Sequence, residues 1–263
     1  GIPSTDDKLV QEIIRMLLEA IYEPGFSVHS HGFRPNRSCH TALLEVQTTF
    51  TGAKWVVEGD IKACFDNFDH HVLINLLRRR IKDEYFISLM WKFLKAGYME
   101  QWVYHKTYSG TPQGSGMSPI LANIYLSELD TFMEQYKKHF DLGGKKRRVT
   151  KEYSRLNGTH ERLRKKYNAS KNTLPEAERK ELSKQLRQVQ LEKLRLPPYP
   201  VQDSSYKRIQ YNRYADDFVI GVIGSKADAE QVKSDIGNFL RDILHLTLSE
   251  QKTKITHSSE PVR

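Results

Sequence analysis

Apolar residues recur along this chain with two periods, and each period marks one kind of element. Leu9, Ile13, Leu17 and Ile21 fall at helical spacing and line one face of a predicted first helix. The Gly-, Pro- and Asn-bearing stretch HGFRPNRS interrupts the pattern before a second helix starting near Ser38. KWVVEGDI, Lys54 to Ile61, reads as a strand that stops near Gly59, and Asp69 is placed to cap a helix carrying Leu73, Leu76, Leu77 and Ile81. Beyond the loop SGTPQGSGMSP, Ser118 and Pro119 stand as N-cap and first-turn proline ahead of Leu121, Tyr125, Leu129, Phe132 and Tyr136. Thr173 and Glu176 form a capping-box pattern before Leu182, Leu186 and Val189, and Pro197-Pro198 ends that helix. Two β-like runs, RIQYNRY and FVIGVIG, are separated by paired aspartates; a helix near Ala227 to Leu244 and a last strand at LTLSE follow. Strands in hairpin-like runs, without regular βαβ alternation, predict an α+β fold.

At 263 residues, 38% hydrophobic and 10% aromatic, the chain has enough apolar material for a packed core in one or two domains. No apolar run approaches bilayer-spanning length, so no membrane partner is expected. The opening GIPSTDDKLV lacks both an apolar signal core and an initiator Met, and the chain reads as a piece of a larger one. Cys39 and Cys64 are too few for a disulfide framework, which suits a reducing compartment and predicts a cytoplasmic protein. The net charge of +9 is unevenly spread: residues 137–195 hold 19 Lys+Arg against 7 Asp+Glu, and the remainder holds 22 against 25. Such a block is either a solvated helical face or a match for a phosphate backbone.

Within YNRYADDFVIG, Asp216 and Asp217 lie where strand propensity is poor, between two runs that predict a hairpin. A turn is one reading, since aspartate is at home there. A second reading starts from Asp60, which ends another strand: three carboxylates brought together repel unless cations neutralise them, and hard oxygen ligands suit Mg²⁺. Two such ions roughly 4 Å apart clamp the attacking and leaving oxygens of an in-line phosphoryl displacement. Arg34 and Arg37, in a loop beside a helix N-terminus, suit phosphate or surface ion pairs equally. His29, His31, His40 and Cys39 lack the paired spacing of zinc sites, and His70 and His71, at a helix start, read as structural.

GDIKACFD, TPQGSGMSPILANIYL and YADDF, in this order, resemble the motifs of reverse transcriptases, and HGFRPNRSCHTAL with GIPSTDDKLVQ is similar to the group II intron maturase branch. The resemblance covers nearly the whole chain except the basic block, and it implies an antiparallel palm sheet packed on helices with helical fingers. It places fingers at 1–54 with 71–118, palm at 55–70, 119–136 and 196–263, and a basic helical insertion at 137–195, without thumb, DNA-binding or endonuclease segments. Asp60, Asp216 and Asp217 match the catalytic metal-binding aspartates, joined by the Ile61 carbonyl, with two Mg²⁺ ions as cofactors for which Mn²⁺ can substitute. Phe65 matches the bulky gate against a ribose 2′-hydroxyl, and Gln113 the glutamine against the incoming nucleotide. Lys8 and Lys252 match basic residues near the triphosphate, Lys252 as proton donor to the leaving pyrophosphate. Gly114 and Gly116 allow close approach of nucleic acid, while Arg34 and Arg37 fall in the fingers near template or nucleotide. Lys145, Lys146, Arg147 and Arg148 are the basic block's candidates for RNA contact.

The function this implies is RNA-directed DNA synthesis with binding of the protein's own intron RNA to assist splicing and retrohoming. Its partners are group II intron RNA, an RNA template, a DNA primer and deoxynucleoside triphosphates; a homodimer is compatible. An RNA-binding splicing factor with a vestigial polymerase site, and a retron-type reverse transcriptase, stay open as alternatives.

Overall fold

Short polar side chains start most of the helices. In the computed structural model, which describes residues 4–100, 103–111, 116–144, 146–169, 175–200, 203 and 205–259, the Ser4 hydroxyl accepts the Asp7 N–H and opens α1, Thr5–Tyr22. Ser38 and Thr41 form a reciprocal capping box at α2, Cys39–Thr49. Strand β1, Trp55–Gly59, is followed by the single turn α3, Cys64–Asn67. The Asp69 carboxylate accepts the N–H groups of His71 and Val72 at α4, His70–Arg80, and Asp83 does the same for Tyr85 and Phe86 at α5, Glu84–Lys95. A two-stranded ribbon, β2 Tyr98–Glu100 and β3 Val103–His105, leads to the long α6, Ser118–Phe140. Then come α7, Lys151–Ala169; α8, Glu176–Arg195; β4, Arg208–Tyr214; β5, Asp217–Ile223; α9, Lys226–Ile243; and β6, Lys254–His257.

The chain divides into two units, Gly1–Asp141 with Lys207–Arg263, and Leu142–Tyr206. The first is built on a wholly antiparallel sheet in the order β4-β5-β1-β6. Val57, Ile209, Ile220 and Val222 share one core with Leu121, Tyr125 and Leu129 of α6 and with Val232, Ile236 and Leu240 of α9. The first half of α6 is buried nearly all round, as a helix enclosed by neighbours on every side must be. The second unit pairs α7 with α8; among its described residues only Leu182 is buried. Lys193 Nζ donates to Asn157 Oδ1 at 2.7 Å, and Thr150 N–H to the Pro198 carbonyl at 3.0 Å.

The α+β class matches the expectation from sequence, but three details differ. On α1 the stripe Leu9, Ile13, Leu17, Ile21 is exposed, Leu9 by 65%, and Ile14, Leu18 and Tyr22 are buried instead. The helix carries two adjacent apolar stripes, so periodicity reveals an apolar arc without revealing which half the core covers. Tyr22 settles it: its hydroxyl donates to the Leu77 carbonyl at 3.1 Å. LTLSE contributes only an isolated bridge, Leu248 to Ile61, and the last strand is Lys254–His257 on the free edge of β1. Helix α6 begins one residue early, with Met117 at the cap and Ser118 inside the first turn. Thr173 lies outside the described residues. Among those described, no helix is long and apolar enough to cross a membrane.

Candidate active site

Strands β4 and β5 form a hairpin whose last pair is Tyr214 with Asp217, leaving Ala215 and Asp216 as its turn. Ala215 adopts φ +56°, a left-handed conformation that costs an L-residue with a Cβ about 1–2 kcal/mol. The surroundings hold it there. The Ala215 carbonyl accepts from Arg213 Nη1 at 2.7 Å, and its backbone presses on Gly32, where an added Cβ would stand 2.2 Å from the Ala215 nitrogen. HGFRPNRS and the aspartate turn are therefore interlocked, and Gly32 is a glycine because the turn occupies the space of a side chain.

Arg213 is the centre of this support. Its side chain is 0% exposed and meets Asp130, 1% exposed, through both carboxylate oxygens: Nε to Oδ1 at 2.8 Å and Nη2 to Oδ2 at 2.6 Å. Nη2 also donates to Ser30 Oγ at 2.8 Å, Tyr211 Oη donates to Asp130 Oδ1 at 2.9 Å, and Asn123 Nδ2 donates to the Gly32 carbonyl at 2.9 Å. Burial alone pushes the Arg213 guanidinium toward losing its proton, but the Asp130 charge outweighs this and leaves it raised and cationic. His31 N–H donates to the Arg213 carbonyl and Arg213 N–H to the His29 carbonyl, so loop and strand exchange backbone hydrogen bonds as well. Glu45 of α2 ties down the same loop, pairing with His29 and with His31 Nε2 at 2.5 Å.

Asp60 reaches the same end of the sheet from the other side. The register pairs Gly59 with Phe218, so one step further along the ladder sets Asp60 across from Asp217. Gly59 admits this pairing because the Phe218 ring fills its side-chain position, 2.0 Å from where a Cβ would sit. The Ser249 N–H donates to the Asp60 carbonyl at 2.8 Å, and Lys252 Nζ stands 3.2 Å from Asp60 Oδ1. Asp60, Lys62, Ala63, Ser249 and Lys252 line a cleft of about 500 Å³. Burial, then the charges of Asp216 and Asp60, raise the Asp217 carboxyl above its ordinary value, against the opposing pull of Lys252. Burial and the same two charges raise the Cys64 thiol beneath them. The three aspartates thus share one electrostatic neighbourhood, although among the described residues no group of three His, Cys, Asp or Glu side chains is arranged to hold a metal ion by itself.

The other candidate residues divide between this neighbourhood and the scaffold. Phe65 is half-buried on α3, packed at 5.9 Å on Phe68 and edge-on at 6.4 Å to Phe33. Its carbonyl accepts the Thr111 N–H at 2.8 Å, bringing the start of the TPQG loop beside it. Gly110, at φ +78°, packs on the Phe65 and Asp66 carbonyls, and buried His70 accompanies it through Nε2 at 2.7 Å from the Gly110 carbonyl. Gln113, Gly114 and Lys145 lie outside the described residues. Gly116 opens on empty space where a Cβ would stand. Lys8 is exposed on α1 and has no contact with the aspartates among those described.

Arg34 departs from its expected place at a ligand. It is 5% exposed and paired with Glu23 at 2.9 Å, Nη1 donates to the Ser27 and Ser30 carbonyls, and its plane lies over Phe26. Every nitrogen is engaged by Glu23, Ser27 or Ser30, so Arg34 ties HGFRPNRS to the segment that precedes it. Arg37 donates to the Val28 carbonyl at 2.6 Å and is only part-exposed. Arg147 stacks on Tyr199 and pairs with Asp203, while Lys146 and Arg148 are exposed. The residues that the sequence reading passed over are Arg213, Asp130 and Asn123. A signal was present: an arginine in the β-like run just before the aspartates, and an aspartate at helical spacing between Leu126 and Met133 of α6.

The sequence profile of the reverse transcriptase (RNA-dependent DNA polymerase) family matches residues 1–148. The group II intron-encoded protein LtrA of Lactococcus lactis subsp. cremoris is 51% identical over all of this chain and 43% of its own length. An uncharacterized 91 kDa protein in the cob intron of Schizosaccharomyces pombe is 45% identical over 98% of this chain and 30% of its own. The chain thus spans less than half the length of either. The structure of telomerase from Candida albicans superposes with a TM-score of 0.52 at 11% identity, over 97% of this chain and 35% of that one, which is a likeness of fold.

Proposed function

Because the chain belongs to the reverse transcriptase (RNA-dependent DNA polymerase) family, we propose that it forms the fingers and palm of an RNA-directed DNA polymerase encoded by a group II intron. The end of β1 and the β4–β5 turn are its nucleotidyl-transfer site. The observation that carries this reading is the register that pairs Gly59 with Phe218, the chain neighbours of Asp60 and Asp217, with Asp216 in the adjoining turn.

The donor set fits Mg²⁺. Asp60, Asp216, Asp217 and the Ile61 carbonyl offer hard oxygens, and a divalent ion would offset both the burial and the neighbouring Asp216 and Asp60 charges that raise Asp217. A closed protein cage is not needed, since Mg²⁺ is usually held by one or two carboxylates together with substrate phosphates. When bound, two such ions, or Mn²⁺ in their place, stabilise the charge on the attacking and leaving oxygens.

The chain's own groups do the positioning. The primer 3′-hydroxyl loses its proton to water as its oxygen bonds to the α-phosphorus of a deoxynucleoside triphosphate, the α–β bridging P–O bond breaks, and Lys252 protonates the departing pyrophosphate and regains a proton from solvent. The Phe65 ring closes the space that a ribose 2′-hydroxyl needs, and Gln113 lies against the incoming nucleotide with Lys8 toward its phosphates. Gly114 and Gly116 admit the backbone of the RNA template and DNA primer, with Arg37 on the fingers side. The basic unit, with Lys145, Lys146 and Arg148 at its start, binds intron RNA and so assists splicing and retrohoming from a cytoplasmic location.

Extension of a DNA primer on an RNA template by the full-length protein tests this. Mg²⁺-dependent extension that disappears in Asp216→Asn is expected. Extension by Asp216→Asn at the wild-type rate, or none by the wild type, would overturn the polymerase reading, and the latter would favour an RNA-binding splicing factor.

A further inference from the structure

We propose that the cleft between α7 and α8 is a binding site for the phosphodiester backbone of RNA. The proposal deepens the RNA-binding half of the function above and rests on it for the choice of RNA.

Helix α7 contributes His160, Arg164 and Tyr167, and α8 contributes Ser183, Leu186, Arg187 and Gln190. Each set falls at helical spacing, so each is a single row, and the two rows face one another across about 440 Å³. The chemistry of the lining selects its ligand. Two guanidiniums, an imidazole, a phenol, a hydroxyl and a carboxamide surround the space, with Leu186 as the lone apolar side chain and no carboxylate. An apolar ligand or a metal cation finds no complement there; an anion with several acceptor oxygens finds one.

Arg187, Arg164 and His160 of this lining are also largely uncommitted. Arg187 has neither a hydrogen bond nor an ion pair among the described residues, and Arg164 has only an exposed contact with Glu161 at 3.5 Å. His160 Nδ1 is shielded from solvent without a hydrogen-bond partner; the nearest carboxylate oxygen, on Glu161, is 3.8 Å away. A shielded, unmatched polar atom is costly, and a ligand oxygen would satisfy it. The pairing of the two helices does not need these groups, because Leu182 and the Lys193–Asn157 bond hold it elsewhere. The block around the cleft carries the chain's whole positive excess, which draws polyanions toward it.

The test is fluorescence anisotropy of the full-length protein with a labelled RNA hairpin and with a DNA duplex of matching sequence, across a salt series. Arg164→Gln with Arg187→Gln should weaken hairpin binding about tenfold and reduce the slope of log affinity against log salt by about 2, one per phosphate contact. Lys165→Gln with Lys184→Gln removes equal charge from the same helices outside the cleft and should change affinity less than about threefold. Arg164→Lys with Arg187→Lys should keep the salt slope yet lose affinity, since a point charge cannot make the forked contact. Circular dichroism of each variant should match the wild type. Equal loss in the cleft and control pairs would reduce the effect to net charge and overturn the proposal, as would no loss at all, and equal loss on DNA would overturn the assignment to RNA. Extension of a preannealed primer should be unchanged in the cleft variants, so a failure of the polymerase reading registers separately from a failure of this one.

Discussion

The two units place charge in opposite ways. At the tip of the palm sheet, three acidic side chains converge on a turn held by a fully buried ion pair, a strained alanine and a glycine pressed by backbone. On the α7–α8 hairpin, guanidiniums stand on a helix pair with one buried residue and almost no fixed partners. Positioning metal ions to a fraction of an ångström requires ligands locked by packing and hydrogen bonds, and a buried scaffold provides that. Attracting a phosphate backbone requires charge and reach, and solvated helices suffice for it.

The contrast can be broken first at its support. Asp130→Ala leaves Arg213 buried and unpaired, so a loss of roughly 3–5 kcal/mol is expected in chemical denaturation. Arg187→Gln on the hairpin should shift stability by under about 0.5 kcal/mol. Comparable losses at both positions would erase the distinction. Next comes the chemistry: Asp60→Asn should keep the fold, since its side chain joins no buried network, while primer extension falls on the order of 10³-fold, about 4 kcal/mol of transition-state stabilisation. An extension rate within tenfold of wild type would detach Asp60 from the site.

A smaller effect sharpens the palm side. Phe65→Ala should admit ribonucleotides roughly tenfold or more better, read from competing incorporation of matched ribo- and deoxynucleotides. Unchanged sugar discrimination would return Phe65 to a packing role against Phe68. The smallest effect is on pH dependence. Because Asp217 is raised in the folded chain, the native state binds its proton more tightly than the unfolded one, whose value is about 3.9. That contribution is present below the unfolded value and is lost as pH rises through the raised one. Without metal, the wild type should therefore lose slightly more thermal stability than Asp217→Asn from about pH 4 upward, and Mg²⁺ should remove the difference. Identical pH profiles would mean that neither burial nor the neighbouring charges raise Asp217.

Much of this was legible in the chain itself. The hairpin around YADD, the strand ending before Asp60, the helix start near Ser38 and the cap at Asp69 follow from local chemistry acting on neighbours, so short windows reveal them. What the sequence hid depends on distant partners. The exposed stripe of α1 and the buried one look alike until Tyr22 finds Leu77. Arg34 and Arg213 are both arginines near the site, and only their carboxylate partners, Glu23 and Asp130, assign them to the scaffold. LTLSE alternates like a strand, yet a turn that returns Ser249 to Asp60 limits it to one bridge.

Cleavage by bound iron tests the central claim most directly. Fe²⁺ substituted for Mg²⁺ in the full-length protein, with ascorbate and peroxide, cuts backbone within reach of the metal. Cuts both near Asp60 and near Asp216, suppressed together by excess Mg²⁺ and absent in Asp216→Asn, are predicted. Cuts at only one of these places, or a pattern unchanged in Asp216→Asn, would contradict a metal site shared by the end of β1 and the aspartate turn.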